Sequence, residues 1–195
     1  MLDPLPCATY AFVMSITPGP NNVMLTAAGA NFGLRRTLPH ILGVTCGFAL
    51  LVAASCGGLG LLFTRFPEMH TALRWVGAAY LLFLGWQLLR SKGGAAGSAG
   101  KPVTFWEAAA FQFLNPKAWV IALTAATLFL PPQLGQFLAT SYVATIVTLV
   151  NLPCITVWAV FGSSLGLILT RPAARRAFNW VMAVALAATG VMMVS

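Results

Sequence analysis

Residues Pro18–Ala28 read PGPNNVMLTAA and residues Pro116–Ala126 read PKAWVIALTAA, a correspondence at an offset of 98 in a chain of 195 residues. Both prolines lie deep inside apolar stretches. Proline has no backbone N–H and its ring clashes with the preceding turn, so it interrupts a helix that runs through it. The same interruption at the same depth in both halves predicts a duplicated fold with paired broken helices. In membrane transporters, such breaks are where substrate is held.

The surrounding composition sets the class. Hydrophobic residues make up 59% of the chain and charged residues 7%, against about 25% charged in a soluble domain, so the chain reads as an integral membrane protein. In hydrocarbon the backbone must satisfy its own hydrogen bonds, which leaves helices or a closed barrel. The apolar runs far exceed the roughly 10 residues of a barrel strand, so the chain is all-α. Six spans are expected, at about 4–30, 39–63, 73–89, 105–130, 137–169 and 178–194. The fifth is longer than the hydrocarbon requires and contains Pro153, which predicts tilt, a kink or a break.

The basic residues orient the spans. Arg35, Arg36, Arg90, Lys92, Lys101, Arg171, Arg175 and Arg176 fall on three connections of one side, and the other side holds Arg65 and Arg74 beside Glu68. The rich side is cytoplasmic by the positive-inside rule, and both termini face outward. The net charge of +8 is therefore explained by orientation, and no nucleic-acid partner is expected. No cleaved leader is expected either, because the first residues carry no positive charge and include Asp3.

An odd number of spans per half reverses the second half, giving a 3+3 inverted repeat. Residues 1–90 form the first three-helix repeat, 91–104 a cytoplasmic linker rich in Gly, Ala and Ser, and 105–195 the second repeat. At an offset of 105, Trp75, Val76, Ala78, Leu81 and Gly85 match Trp180, Val181, Ala183, Leu186 and Gly190. Gly43 and Gly47 match Ser141 and Thr145 at the offset of 98. These small residues predict close, sliding helix contacts and permit a homodimer.

Each matched proline follows a capping residue, Thr17 before Pro18 and Asn115 before Pro116, which predicts a helix start inside the membrane at each. Pro18, Pro20 and Pro116 should free the carbonyls of Met14, Ile16 and Gln112, and Gly19 should permit the turn between its two prolines. Inversion brings the two half-helix N-termini together near the midplane. Their partial positive charge and unpaired amides suit a carboxylate. Lys117 adds a full charge whose central placement costs roughly 2.5–3.5 kcal/mol, so it requires a substrate carboxylate, water or freed carbonyls as partner. The candidate substrate-binding set is Thr17, Pro18, Gly19, Pro20, Asn21, Asn22, Gln112, Asn115, Pro116 and Lys117. Asn21, Asn22 and Gln112 serve equally well as substrate ligands or as amides bonding across helices. Thr26 and Thr124 are assigned to their own helices.

Asp3, Glu68 and Glu107 are the only acidic residues. Glu107 is the proton-coupling candidate by elimination, the other two being peripheral. Cys7, Cys46, Cys56 and Cys154 form no C-x-x-C pair and read as small hydrophobes. His40 and His70 lie nearer loops than breaks, and Glu68 with His70 reads as a surface pair. No metal, cofactor or nucleophile–base set is expected, so the chain does not read as an enzyme.

Three stretches carry a resemblance. Ser15–Asn21 (SITPGPN), Phe113–Ala118 (FLNPKA) and Gly77–Gly85 (GAAYLLFLG) resemble the lysine-exporter family, LysE/RhtB, which includes homoserine, threonine and cysteine exporters. The resemblance covers nearly the whole length. It implies a six-helix bacterial inner-membrane exporter of amino acids, driven by the proton gradient, with the two proline motifs on Pro18–Asn21 and Asn115–Lys117. Trp106-Glu107-Ala108-Ala109 departs from it where a small residue such as glycine is expected. A cleft with Lys117 and no carboxylate favours neutral amino acids over cationic ones. Two rivals remain at this level. One is a thiol-redox carrier of the CcdA type, suggested by Leu5-Pro6-Cys7 and Leu152-Pro153-Cys154; the other is a membrane subunit that transports nothing.

Overall fold

The computed structural model describes residues 2–59, 65–90 and 101–194, and these are helical apart from short turns. Eight α-helices lie among the described residues: α1 (Leu5–Ile16), α2 (Pro20–Phe32), α3 (Leu34–Cys56), α4 (Pro67–Arg90), α5 (Phe105–Leu114), α6 (Pro116–Leu128), α7 (Gln136–Ile168) and α8 (Pro172–Val194). Stretches of α3, α4, α7 and α8 are long and apolar enough to cross a membrane. The four remaining helices are short and come in consecutive pairs. At 1.5 Å per residue, the 12 residues of α1 and the 13 of α2 each span about 20 Å, less than the roughly 30 Å hydrocarbon layer. Neither is long enough to cross it alone.

Several boundaries differ from the sequence expectation. The second span begins at Leu34, not near residue 39: Pro39 lies inside the helix, which continues through it without the bond its amide would have made to Arg35 O. The α2–α3 connection is one residue, Gly33, whose φ of 76° is a conformation that glycine adopts without a Cβ penalty. The helix of the third expected span, α4, starts at Pro67, with Glu68 in its first turn, so Glu68 belongs to a helix and not to a loop. Pro153 does not break the fifth span: α7 is assigned as one helix of 33 residues. His40 is fully buried, in the second turn of α3. The expected end of the second span and most of the linker, residues 60–64 and 91–100, lie outside the described residues.

The packing is reciprocal. α3 lies along α5 and α6 of the second half, while α7 lies along α1 and α2 of the first. Close approach requires glycine at these crossings, since a Cβ on Gly162 of α7 would fall 2.1 Å from the Thr26 carbonyl of α2. On the other side, a Cβ on Gly47 of α3 would fall 2.5 Å from the Ala109 carbonyl of α5. Small residues thus do sit in the Trp106–Ala109 region, as Ala108 and Ala109. The remaining helices, α4 and α8, pack on each other. A Cβ on Gly85 would meet the Ala183 carbonyl and one on Gly190 the Ala78 carbonyl, each at 3.3 Å. Arg74 Nε donates to the Met193 carbonyl, joining the start of α4 to the end of α8. Ser141 and Thr145 do not share the role of Gly43 and Gly47: Ser141 Oγ bonds Phe137 O of its own helix, and Thr145 is exposed.

Candidate functional site

The first break spans Thr17, Pro18 and Gly19, and the helix after it starts at Pro20 rather than Pro18. Thr17 is the C-cap of α1, not the N-cap of α2: its hydroxyl donates to Met14 O at 3.0 Å. Gly19 takes the N-cap position with φ −170°, an extended backbone open to any residue, and no side chain caps this end. Pro20 brings no N–H, so the amides of Asn21 and Asn22 are left uncapped. Space explains the glycine: a Cβ on Gly19 would lie 2.7 Å from Lys117 Cδ.

The second break is a single residue, Asn115, and follows the sequence expectation. Its side chain accepts from the Lys117 amide at 3.1 Å, with Pro116 at the first helical position. Its own amide donates to Gln112 O. Trp119 Nε1 donates to Phe113 O at 2.8 Å, closing the turn locally.

Lys117 joins the two breaks. Its Nζ donates to Thr17 O at 2.7 Å, Thr17 Oγ1 at 2.9 Å and Pro18 O at 3.2 Å. These partners differ from the expected carbonyls. Met14 O accepts from Thr17, Ile16 O from Trp158 Nε1 at 3.1 Å and Gln112 O from Asn115, so the groups that proline frees are taken up nearby.

The amides divide by role. Asn22 is buried and donates from Nδ2 to Ser15 O at 3.0 Å and Thr17 O at 2.8 Å, pinning α2 to the end of α1. Asn21 and Gln112 form a reciprocal pair across the halves, Asn21 Nδ2 to Gln112 Oε1 at 2.8 Å and Gln112 Nε2 to Asn21 Oδ1 at 3.2 Å. Gln112 gives its second hydrogen to Ala108 O, which commits it to structure. Thr26 bonds Asn22 O of its own helix.

A cleft opens between the breaks, lined by Gly19, Pro20, Asn21, Asn22, Asn115 and Lys117 of the predicted set, together with Ala118. Thr17, Pro18, Gln112 and Pro116 are outside this lining; the first two meet the cleft only through the Lys117 ammonium. Glu107 is exposed at the start of α5. Its Oε2 accepts from Thr104 N and Oγ1, both at 2.8 Å, in a capping box.

Lining residues outside the predicted set include Ser15, Phe48, Ile121, Asn151 and Ile155. Asn151 had a readable signal, since it is an amide in the middle of a stretch, Ala118–Thr170, that holds no charged side chain. The cleft holds about 320 Å³ of empty space including its mouth, yet a water-sized sphere finds room for only one or two waters. Among the described residues no cluster of three metal-ligating side chains occurs, and the four cysteines are free thiols.

Long apolar helices, two interrupted ones and a polar cleft between the breaks define a multi-pass helical membrane protein of the transporter class. A family model described as LysE type translocator matches residues 12–195, and the chain belongs to that family, whose members are transporters and not enzymes. Its relatives include the cysteine/O-acetylserine efflux protein of Salmonella typhimurium, 36% identical over 126 residues, which are 64% of this chain and 64% of that protein. The protein of the same description in Klebsiella pneumoniae is 34% identical over 125 residues, 64% of this chain and 63% of the relative. That of Escherichia coli K12 is 34% identical over 126 residues, 64% of each. The chain thus spans a little under two thirds of the curated relatives it matches. No solved structure matches it.

Proposed function

We propose that this chain exports neutral amino acids or close derivatives, of the cysteine and O-acetylserine kind, across the bacterial inner membrane. The observation that carries the reading is Lys117 at one break holding Thr17 and Pro18 of the other, over a cleft on which the uncapped N-terminus of α2 and the Asn115-capped N-terminus of α6 converge. A substrate carboxylate would replace the Thr17 and Pro18 carbonyls as partner of the ammonium, and the Asn21, Asn22 and Ala118 amides would complete its shell. Exchange of those partners unlocks one break from the other. Substrate binding and movement of the halves are then one event.

The architecture behind this reading is six spans in a 3+3 inverted repeat, with both termini outside and α1–α2 and α5–α6 as the broken first and fourth spans. Its support is the reciprocal Gly85–Ala183 and Gly190–Ala78 contacts, which an internal two-fold relation with an offset of 105 requires. Alternating access follows as rocking of one repeat on the other. We assign proton coupling to Glu107, whose carboxylate ties Thr104 to the start of α5 through the capping box. The lining contains one cation and no carboxylate, which suits a zwitterion with an uncharged side chain. The names of the relatives support the same substrate class.

The deciding experiment is flux of radiolabelled cysteine, threonine and lysine in proteoliposomes of the full chain under an imposed pH gradient. Gradient-stimulated flux of the neutral amino acids, lost in Lys117→Ala and kept in Lys101→Ala, is the expected result. No flux of any of the three would remove the exporter reading.

A further inference from the structure

A zwitterion presents two charged groups, and the cleft described so far receives one. The carboxylate has Lys117 and the open amides; the ammonium needs acceptors. No Asp or Glu lines the cleft, and the Thr17 and Pro18 carbonyls belong to Lys117.

Among the side chains that line the cleft, one buried acceptor has no partner. Asn151 lies midway along α7, lines the cleft and is 6% exposed. Its Nδ2 donates to the buried Ser15 Oγ at 3.0 Å, which fixes the amide in place, while its Oδ1 is buried with no hydrogen-bond partner. Among the described residues, buried side-chain atoms without a partner occur also on Tyr10, His40, Tyr80, Tyr142 and Thr148, and none of these lines the cleft. Folded proteins seldom leave such an atom unpaired without a use for it.

Resting on the exporter reading above, we propose that Asn151 is an ammonium subsite, its Oδ1 accepting from the substrate's protonated amine while Lys117 and the open amides take the carboxylate. An amide suits this position better than a carboxylate. Each ammonium hydrogen requires only an acceptor lone pair, and an Asp in the same cleft would compete with the substrate for Lys117. The same neutrality leaves a second cation on the substrate without a counter-charge. Asn151 thereby contributes to excluding basic amino acids.

The test pairs ligand truncation with protein truncation. Proteoliposomes of the full chain perform counterflow of radiolabelled L-cysteine, with L-cysteine, 3-mercaptopropionate (no amine) and cysteamine (no carboxylate) as inhibitors under reducing conditions. Wild type should prefer L-cysteine over 3-mercaptopropionate by about 10-fold or more, the scale of a hydrogen bond to a charged group. Asn151→Leu should erase that preference by weakening L-cysteine alone, and Asn151→Asp should retain it. Equal inhibition by L-cysteine and 3-mercaptopropionate in wild type overturns the subsite without any variant. So does an Asn151→Leu protein that weakens both ligands equally, or one that keeps the preference. Loss of the preference over cysteamine instead would place the carboxylate on Asn151. If Asn151→Leu does not fold, the wild-type and Asn151→Asp arms decide. A wild-type protein without cysteine counterflow is a separate result: it removes the exporter reading and the subsite with it.

Discussion

At the first break, Ile16 O, Ser15 Oγ and Thr17 O accept hydrogen bonds from Trp158, Asn151 and Lys117, all in the second half of the chain. At the second break, Asn115 Oδ1 accepts from the Lys117 amide, and Trp119 closes on Phe113 O, all within a few residues. Thr17 and Asn22 add local bonds at the first break, but three side chains from the other half complete it. The second break holds itself and lends its lysine outward. In a movement that separates the halves, the first break would lose its outside partners and the second would keep its form. The mobile wall of the cleft is therefore expected at Thr17–Gly19.

The largest effect should come from Lys117→Ala, which takes the ammonium from both the first break and the carboxylate. We expect neutral amino-acid flux to fall on the order of 10- to 100-fold, the scale for hydrogen bonds to a charged group, with Lys101→Ala near wild type. Flux should be normalised to folded protein by thermal unfolding in detergent. Comparable flux in the two variants would break the comparison at its centre.

The two tryptophans sharpen it. Trp158→Phe removes a bond between the halves, and Trp119→Phe one within a break. Trp119→Phe should lower stability by about 1 kcal/mol, read in thermal unfolding, with transport per folded molecule little changed. Trp158→Phe should change transport several-fold for a similar loss of stability, because it biases one arrangement of the halves. If both act on stability alone, the breaks are equivalent.

A smaller effect is expected at Gly19. Its extended backbone accepts alanine, so Gly19→Ala costs only the displacement of the flexible Lys117 chain from a 2.7 Å contact. Transport should fall a few-fold with unfolding temperature nearly constant. A large drop in that temperature would mean that the backbone, and not the lysine, requires glycine there.

The contrast also explains what the sequence could reveal. Asn115-Pro116 was legible because every partner that fixes it is local. The first break was legible as a break, since PGP removes backbone donors whatever surrounds it, but not in register. Pro18 and Pro20 both suit a first helical position. The structure begins the helix at Pro20, with Lys117 taking the Thr17 and Pro18 carbonyls from 99 to 100 residues away. Of the carbonyls expected to stay free, Ile16 O is taken by the distant Trp158, Met14 O by the Thr17 hydroxyl and Gln112 O by the Asn115 backbone amide. Asn151 and Trp158 act on a distant helix and leave no spacing pattern beside the motifs they serve. Pro67 opens a helix while Pro39 lies inside one, a difference that an apolar profile does not register.

The smallest structural effect, and the narrowest test, concerns Glu107. Glutamine serves in a capping box as glutamate does, so Glu107→Gln should keep the Thr104 contacts and leave thermal unfolding almost unchanged. It removes a carboxylate and nothing else. Counterflow, which needs no gradient, should then proceed at close to the wild-type rate, while stimulation by an imposed pH gradient disappears. Full stimulation in Glu107→Gln would take proton coupling away from this residue and leave the cleft reading intact. Loss of counterflow as well would mean that the start of α5, packed through Ala109 on Gly47 of α3, moves with the walls of the cleft, and the second break would no longer be the fixed one.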